Sequence, residues 1–221
     1  MRQTEVVQDV QTAEQVRAAY DVRADEFAEA FRSTEPEQSI ELAMVEHFTA
    51  QLPGPRHVLD AGCGTGRFMP ILGSLGCEVQ GLDISPNMIR HAQQKHPTFA
   101  SRVGTLTNLP FEDGSFDGYF SWYSTIHSDE ALLRLILSEA RRSLRARGSI
   151  LVAFQSGEGI QDLSEACRSR GYNLSLVRYL RSTEEMADAL LAPGFVVSAQ
   201  LERGTMAAHE RGNKAVIVAK G

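Results

Sequence analysis

The sequence is short of cysteine, of tryptophan and of net positive charge, and each shortage excludes something. Three cysteines, Cys63, Cys77 and Cys167, stand far apart and form no CxxC pair. A disulfide framework and a structural zinc site are therefore not expected, and a reducing compartment is. Lysine and arginine total 22 against 28 aspartate and glutamate, a formal charge of -6. Nucleic-acid affinity rests largely on cationic neutralisation of phosphate, so this balance argues against such a partner. No apolar run approaches the ~20 residues that span a bilayer. The first twenty residues carry Glu5, Asp9 and Glu14 in place of the apolar centre of a signal peptide. A soluble cytoplasmic protein without a membrane partner is expected.

What is present is an ordinary globular composition, 43% hydrophobic and 23% charged over 221 residues. That suits one α/β domain. Val16, Tyr20, Phe27 and Phe31 fall at near-helical spacing over residues 12–32, with Pro36 as their stop. A second helix is expected from Ser39 to Leu52, before the breaker Pro53-Gly54-Pro55. Strands and helices then alternate. Strands are expected at His57–Asp60, Glu78–Asp83, Ser101–Val103, Phe116–Trp122 and Ser149–Phe154. Helices are expected at Phe68–Leu75, at Pro86–Gln94 behind Ser85 as N-cap, and at Asp129–Leu144. This alternation predicts a parallel sheet with right-handed crossovers and helices on both faces. After a helical insert at about 159–170 and a helix at Thr183–Leu191, strands Phe195–Leu201 and Lys214–Ala219 read as an antiparallel hairpin.

The most informative stretch is Asp60-Ala61-Gly62-Cys63-Gly64-Thr65-Gly66-Arg67, between a strand and a helix. Alternating glycines let backbone approach a ligand closely at a helix N-terminus. The spacing departs from the dinucleotide pattern G-x-G-x-x-G, since Arg67 stands three residues after Gly64. Asp60, at the strand end, repels a diphosphate and suits a ligand bearing an ammonium group, as S-adenosylmethionine does. Asp83 ends the next strand, where a carboxylate can accept both hydroxyl protons of an adenosine ribose.

These stretches, DAGCGTG at 60–66, GLDIS at 81–85 and LPFEDGSFD at 109–117, resemble the class I S-adenosylmethionine-dependent methyltransferases. The likeness is to the small-molecule branch related to ubiquinone-biosynthesis enzymes. It implies a Rossmann-like, doubly wound, seven-stranded and mostly parallel sheet in a three-layer α/β sandwich, ending in an antiparallel hairpin strand. It also implies a single domain over 1–221, with a helical lid (1–52), a cofactor-binding core (55–155) and a substrate cover with the hairpin (156–221). Asp60, Gly62 and Gly64 would line the methionine portion of the cofactor and Asp83 its ribose, with Ala61, Cys63, Thr65 and Gly66 of the same loop also in the cofactor site. Ile84 and Met88 would border the adenine, Leu106 would belong to the cofactor site, and Ser121 would face the methyl donor. Thr105 stands where the family carries an acidic residue for the adenine amino group. Tyr20 and Arg23 match the lid helix; otherwise they belong to an ordinary amphipathic helix.

Methyl transfer asks for alignment and dryness and needs no metal. Acceptor-site candidates follow the fourth strand. Trp122 and Tyr123 would wall a pocket or face the sulfonium, and His127 would serve as general base. The plainer alternatives place Trp122 in the core and His127 as a helix cap. His209, Glu210 and Lys214 are secondary candidates, and His47 is expected to be structural. The partner implied is a small-molecule acceptor, with the protein a monomer or homodimer. Two rival readings are a nicotinamide-dependent oxidoreductase and a non-catalytic cofactor-binding module.

Overall fold

A computed structural model describes residues 11–33, 37–206, 210 and 212–221. Helices α1 (Ala13–Val22), α2 (Ala24–Ala30) and α3 (Ser39–Ala50) come first. The alternating core follows: β1 (His57–Ala61), α4 (Met69–Ser74), β2 (Glu78–Asp83), α5 (Pro86–Lys95), β3 (Ala100–Val103), β4 (Phe116–Trp122), α6 (Glu130–Ser143) and β5 (Leu144–Ser156). An insert holds β6 (Ile160–Asp162), α7 (Ser164–Arg168) and β7 (Val177–Tyr179). The chain ends in α8 (Thr183–Leu191), β8 (Val196–Arg203) and β9 (Asn213–Lys220).

Seven strands form one sheet in the order β3-β2-β1-β4-β5-β9-β8. The first five are parallel, and β9 runs antiparallel to both β5 and β8. The expected α/β architecture is thus observed. The hairpin enters with its last strand innermost, so β9 rather than β8 pairs with β5 over Ser149–Ser156.

Strand alternation makes the three layers. Ile150, Val152 and Phe154 pack with Leu133 and Leu137 of α6 and with Met186 and Leu190 of α8. Leu151 and Ala153 turn to the opposite face, against Val45 and Phe48 of α3 and Met69 and Leu72 of α4. The sheet is covered on both sides, which is what its long apolar strands require.

Two expectations are corrected. The helix over 12–32 breaks at Arg23 (φ -103°, ψ 8°), so α1 and α2 are separate. The insert is not helical over 159–170: Gly157 and Gly159 have positive φ, and Asp162 caps Ser164, so only Ser164–Arg168 coils. β6 and β7 instead pair as a small antiparallel sheet. Pro36, the expected stop, and His209 lie outside the described residues.

Candidate functional site

The glycine turn follows β1, with Gly62, Gly64 and Gly66 at φ 78°, 54° and 79°. Gly62 is required on a second ground, because a Cβ there would meet Ser124 Cβ at 2.3 Å. The turn is therefore pressed against the loop that follows β4. Gly62 N and Cys63 N both donate to the Leu82 carbonyl, at 2.7 and 3.0 Å, which ties the turn to β2. Cys63 is buried, with its thiol near the Gly64 carbonyl, so it lends the turn packing.

Asp83 shapes the same turn. Its Oδ2 accepts from Gly64 N and its Oδ1 from Ser85 N, each at 2.9 Å. Burial raises its pKa against the opposing pull of those N–H groups. Asp60 is 2% exposed, and its Oδ2 has no hydrogen-bond partner among the described residues. Burial first, and the neighbouring Asp83 second, push its pKa up to about 7, with Arg67 pulling the other way. Two buried carboxylates with an orphaned oxygen fit a ligand that brings an ammonium group and hydroxyl donors. The S-adenosylmethionine expected from the sequence has both, so the residues fit that group.

The N-terminal helices close over this corner. The Asp21 carboxylate accepts from Ser85 Oγ at 2.8 Å and from Asn87 N at 2.9 Å, joining α1 to the start of α5. Tyr20 Oη lies 2.9 Å from His127 Nε2, and His127 Nδ1 lies 2.5 Å from the Val177 carbonyl. That carbonyl can only accept, so Nδ1 carries the proton and Nε2 takes the Tyr20 O–H. Burial lowers the His127 pKa to about 4. The general-base role expected of His127 is corrected on this geometry. Both ring nitrogens are engaged, and the imidazole is a neutral pin between lid and cover. Tyr20 itself is pushed up to about 12 by burial. Arg23 bonds Glu26 at 3.1 Å and lies over the rings of Phe27 and Tyr172, so it too reaches from lid to cover.

Trp122 is corrected as well. It is 7% exposed, stacked on Phe120 at 5.6 Å between centroids and tilted against Phe68 at 4.6 Å, inside the core. Tyr123 follows at φ 56°, with its N–H donating to the Ala153 carbonyl at 2.9 Å. Its hydroxyl is buried without a partner, and burial, then Glu37 and Glu41, raise its pKa, so it stays a proton donor. Ser121 Oγ is 2.7 Å from Ser124 Oγ, directly behind Gly62. Ile84 is half-buried and Met88 is buried. Thr105 turns its hydroxyl to Thr107 Oγ1 at 2.9 Å, with Leu106 half-buried beside it.

Sequence reasoning singled out Glu210 and Lys214 as secondary candidates but missed the rest of the charged belt around Tyr123. Arg67 pairs with the buried Glu37 at 2.7 Å, and Arg203 pairs with Glu41 at 2.9 Å and with Glu210. Lys214 bonds Glu210 at 3.0 Å and lies 5.9 Å above the Tyr123 ring. Glu37, Glu41, Arg67 and Arg203 carried no local signal, because their partners lie far along the chain.

The sheet order, the glycine turn and the acidic strand ends define a class I methyltransferase fold. Residues 58–148 match the family model described as a methyltransferase domain. It is similar to malonyl-[acyl-carrier protein] O-methyltransferase of Erwinia pyrifoliae, at 33% identity over 127 residues, covering 55% of this chain and 46% of the relative. It is also similar to O-methyltransferase resE of Aspergillus sclerotiorum, at 31% identity, covering 64% and 55%. The chain spans about half the length of these curated relatives. Among solved structures, 1,6-didemethyltoxoflavin-N1-methyltransferase of Burkholderia thailandensis superposes with TM-score 0.71 at 18% identity, over 97% of this chain and 92% of that one. Among the described residues no helix is long and apolar enough to cross a membrane.

Proposed function

We propose that this chain transfers the methyl group of S-adenosylmethionine to a small-molecule acceptor by in-line displacement. The observation that carries the reading is the orphaned, buried Asp60 beside Asp83 at a three-glycine turn. When bound, S-adenosylmethionine supplies an electrophilic methyl group on a sulfonium, with a neutral thioether as leaving group. Asp60 takes the ammonium, Asp83 the ribose hydroxyls, and the backbone of Ala61–Gly66 lines the methionine portion. Ile84, Met88, Thr105 and Leu106 border the adenine, while Ser121 backs the turn on the β4 side. Tyr20 and Arg23 hold the lid shut. Tyr123 presents a protonated hydroxyl to the acceptor. The protein's contribution is alignment and exclusion of water, and no group here need act as a base unless the acceptor loses a proton.

The domain reads as a lid (1–52), a cofactor core (55–155) and a cover with hairpin (156–221). Three unpaired, buried cysteines suit a reducing, cytoplasmic setting, and the protein is read as a monomer or homodimer without nucleic-acid or membrane partners. The named relatives act on different acceptors, so the acceptor is inferred from this chain's own residues.

Calorimetric titration with S-adenosylmethionine, S-adenosylhomocysteine and NADH tests the reading. The first two should bind at micromolar concentration and NADH should not. Asp83→Ala should lose ~1.5–3 kcal/mol through the removed charge-assisted contact. Binding of neither adenosyl ligand would sink the proposal. Binding without release of S-adenosylhomocysteine in an acceptor screen would leave a non-catalytic binding module.

A further inference from the structure

A cavity of about 260 Å³ lies at the carboxyl end of β5, lined among others by Gln155, Ser156, Gln161, Arg178 and Leu180. It is roofed by the β6–β7 sheet, where Arg178 stands opposite Gln161. Its volume suits a compact ring or short chain, just under the usual range for drug-sized ligands.

Arg178 is the unusual group in it. Gln161 Oε1 accepts from its Nη1 at 3.2 Å, and its Nε is buried without a partner. Among the described residues no carboxylate forms an ion pair with it, whereas Arg67, Arg142, Arg145 and Arg203 each have one. Burial depresses its pKa, with only Tyr20 and Tyr123 opposing. A half-buried guanidinium with an enclosed, unpartnered Nε leaves donors that an anion would complete. Beside it Gln155 Oε1 is also buried and unpartnered, and a turn of that amide presents N–H donors to the same space. Glu202 does not line the cavity; its carboxylate accepts the Ser156 hydroxyl at 2.6 Å from behind.

The location separates this group from the cofactor corner. β5 lies two strands from β1 in the sheet, about 10 Å at ordinary strand spacing. The Arg178 guanidinium is near enough to interact with Tyr20, Tyr123 and His127, so it borders the cleft. Carboxylates at one end and a cation at the other orient a charged acceptor with its anion outward from the methyl donor. We propose that Arg178, assisted by Gln155, binds an anionic group of the methyl acceptor, a carboxylate or a phosphate monoester. This rests on the methyl-transfer reading and names its substrate class.

The test is calorimetry on the S-adenosylhomocysteine-saturated protein with benzoate, phenyl phosphate and the neutral benzamide. Wild type, Arg178→Gln and Arg178→Lys are compared. The expected result is saturable binding of an anion, none of benzamide, and a roughly tenfold or larger loss in Arg178→Gln, from the lost bidentate contact. Arg178→Lys should lose less, and affinity for S-adenosylhomocysteine should not change. The tighter of the two anions identifies the headgroup. No binding of either anion by wild type, or equal binding by Arg178→Gln, overturns the proposal. So does a variant that weakens S-adenosylhomocysteine but not methylthioadenosine, which lacks the amino-acid carboxylate; Arg178 would then serve the cofactor. If S-adenosylhomocysteine itself fails to bind, the methyl-transfer reading falls, and anion titration of the free protein still decides whether Arg178 makes an anion site.

Discussion

At the scale of single residues, Asp60 concentrates the chemistry of the site. Its folded pKa of about 7 lies above the ordinary 3.8, through burial and the neighbouring Asp83. The free protein therefore binds a proton there that the unfolded chain releases. Its stabilising contribution is complete below the ordinary value and is lost as pH rises through about 7. A cationic ligand reverses the preference, because it favours the carboxylate. Affinity for S-adenosylmethionine should thus rise between pH 6 and 8, approaching tenfold per pH unit below the pKa, with release of a proton. Titration in buffers of different ionisation enthalpy measures both. Asp60→Asn should bind more weakly and show a flat profile; a flat wild-type profile would mean that Asp60 is not the ammonium partner.

Among elements, the N-terminal segment meets the cover through an apolar cluster, Val16 and Ala19 of α1 with Cys167 and Leu176, and through polar pins. Gln11 Nε2 donates to the His127 carbonyl at 3.3 Å, its Oε1 accepts from Val177 N at 2.6 Å, and Tyr20 bonds the His127 ring. His127 titrates at about 4 when folded and near 6.5 when released. A lid-open or unfolded state therefore takes a proton first as pH falls, so the pin's contribution holds above about 6.5 and fades toward 4. Hydrogen exchange of α1 amides should accelerate by one to two orders of magnitude between pH 7 and 5, after correction for intrinsic rates. His127→Gln, which cannot protonate, should remove that acceleration, and its persistence in the variant would place the switch elsewhere. The same elements mark what the sequence revealed. Strands such as Glu78–Asp83 and the capped start of α5 were legible because period, cap and turn all lie within a few residues. The break at Arg23 and the pairing of β6 with β7 were not, because each depends on partners across the fold: Asp21 on Asn87, and Ile160 on Tyr179.

For the molecule as a whole, the same contrast governs the site and leads to a test of its rigidity. The glycine turn and Asp83 were readable as a local pattern, whereas the belt around Tyr123 joins positions as distant as Glu41 and Arg203. That belt fastens the terminal hairpin to α3. Arg203, at the end of β8, bonds Glu41, which is 0% exposed, and Glu210, while Lys214 of β9 secures Glu210 from the other side. Hydrogen bonding to Glu210 first, and then to Glu41, raises the Arg203 pKa, so the cation is permanent. Burying these charges together gains little over an apolar core, but removing one partner strands the rest. Arg203→Met leaves Glu41 without a cation in a dry setting and should cost about 3–5 kcal/mol, read as a lower urea midpoint. Glu41→Gln should cost less, since Arg203 keeps Glu210 and the amide can still accept its N–H. Because Glu41 and Arg203 both act electrostatically on Tyr123, Arg203→Met should also reduce methyl transfer more than it weakens cofactor binding. A midpoint within ~1 kcal/mol of wild type would show that the apolar faces of β8 and β9 hold the hairpin unaided, and that the buried ions serve the cleft alone.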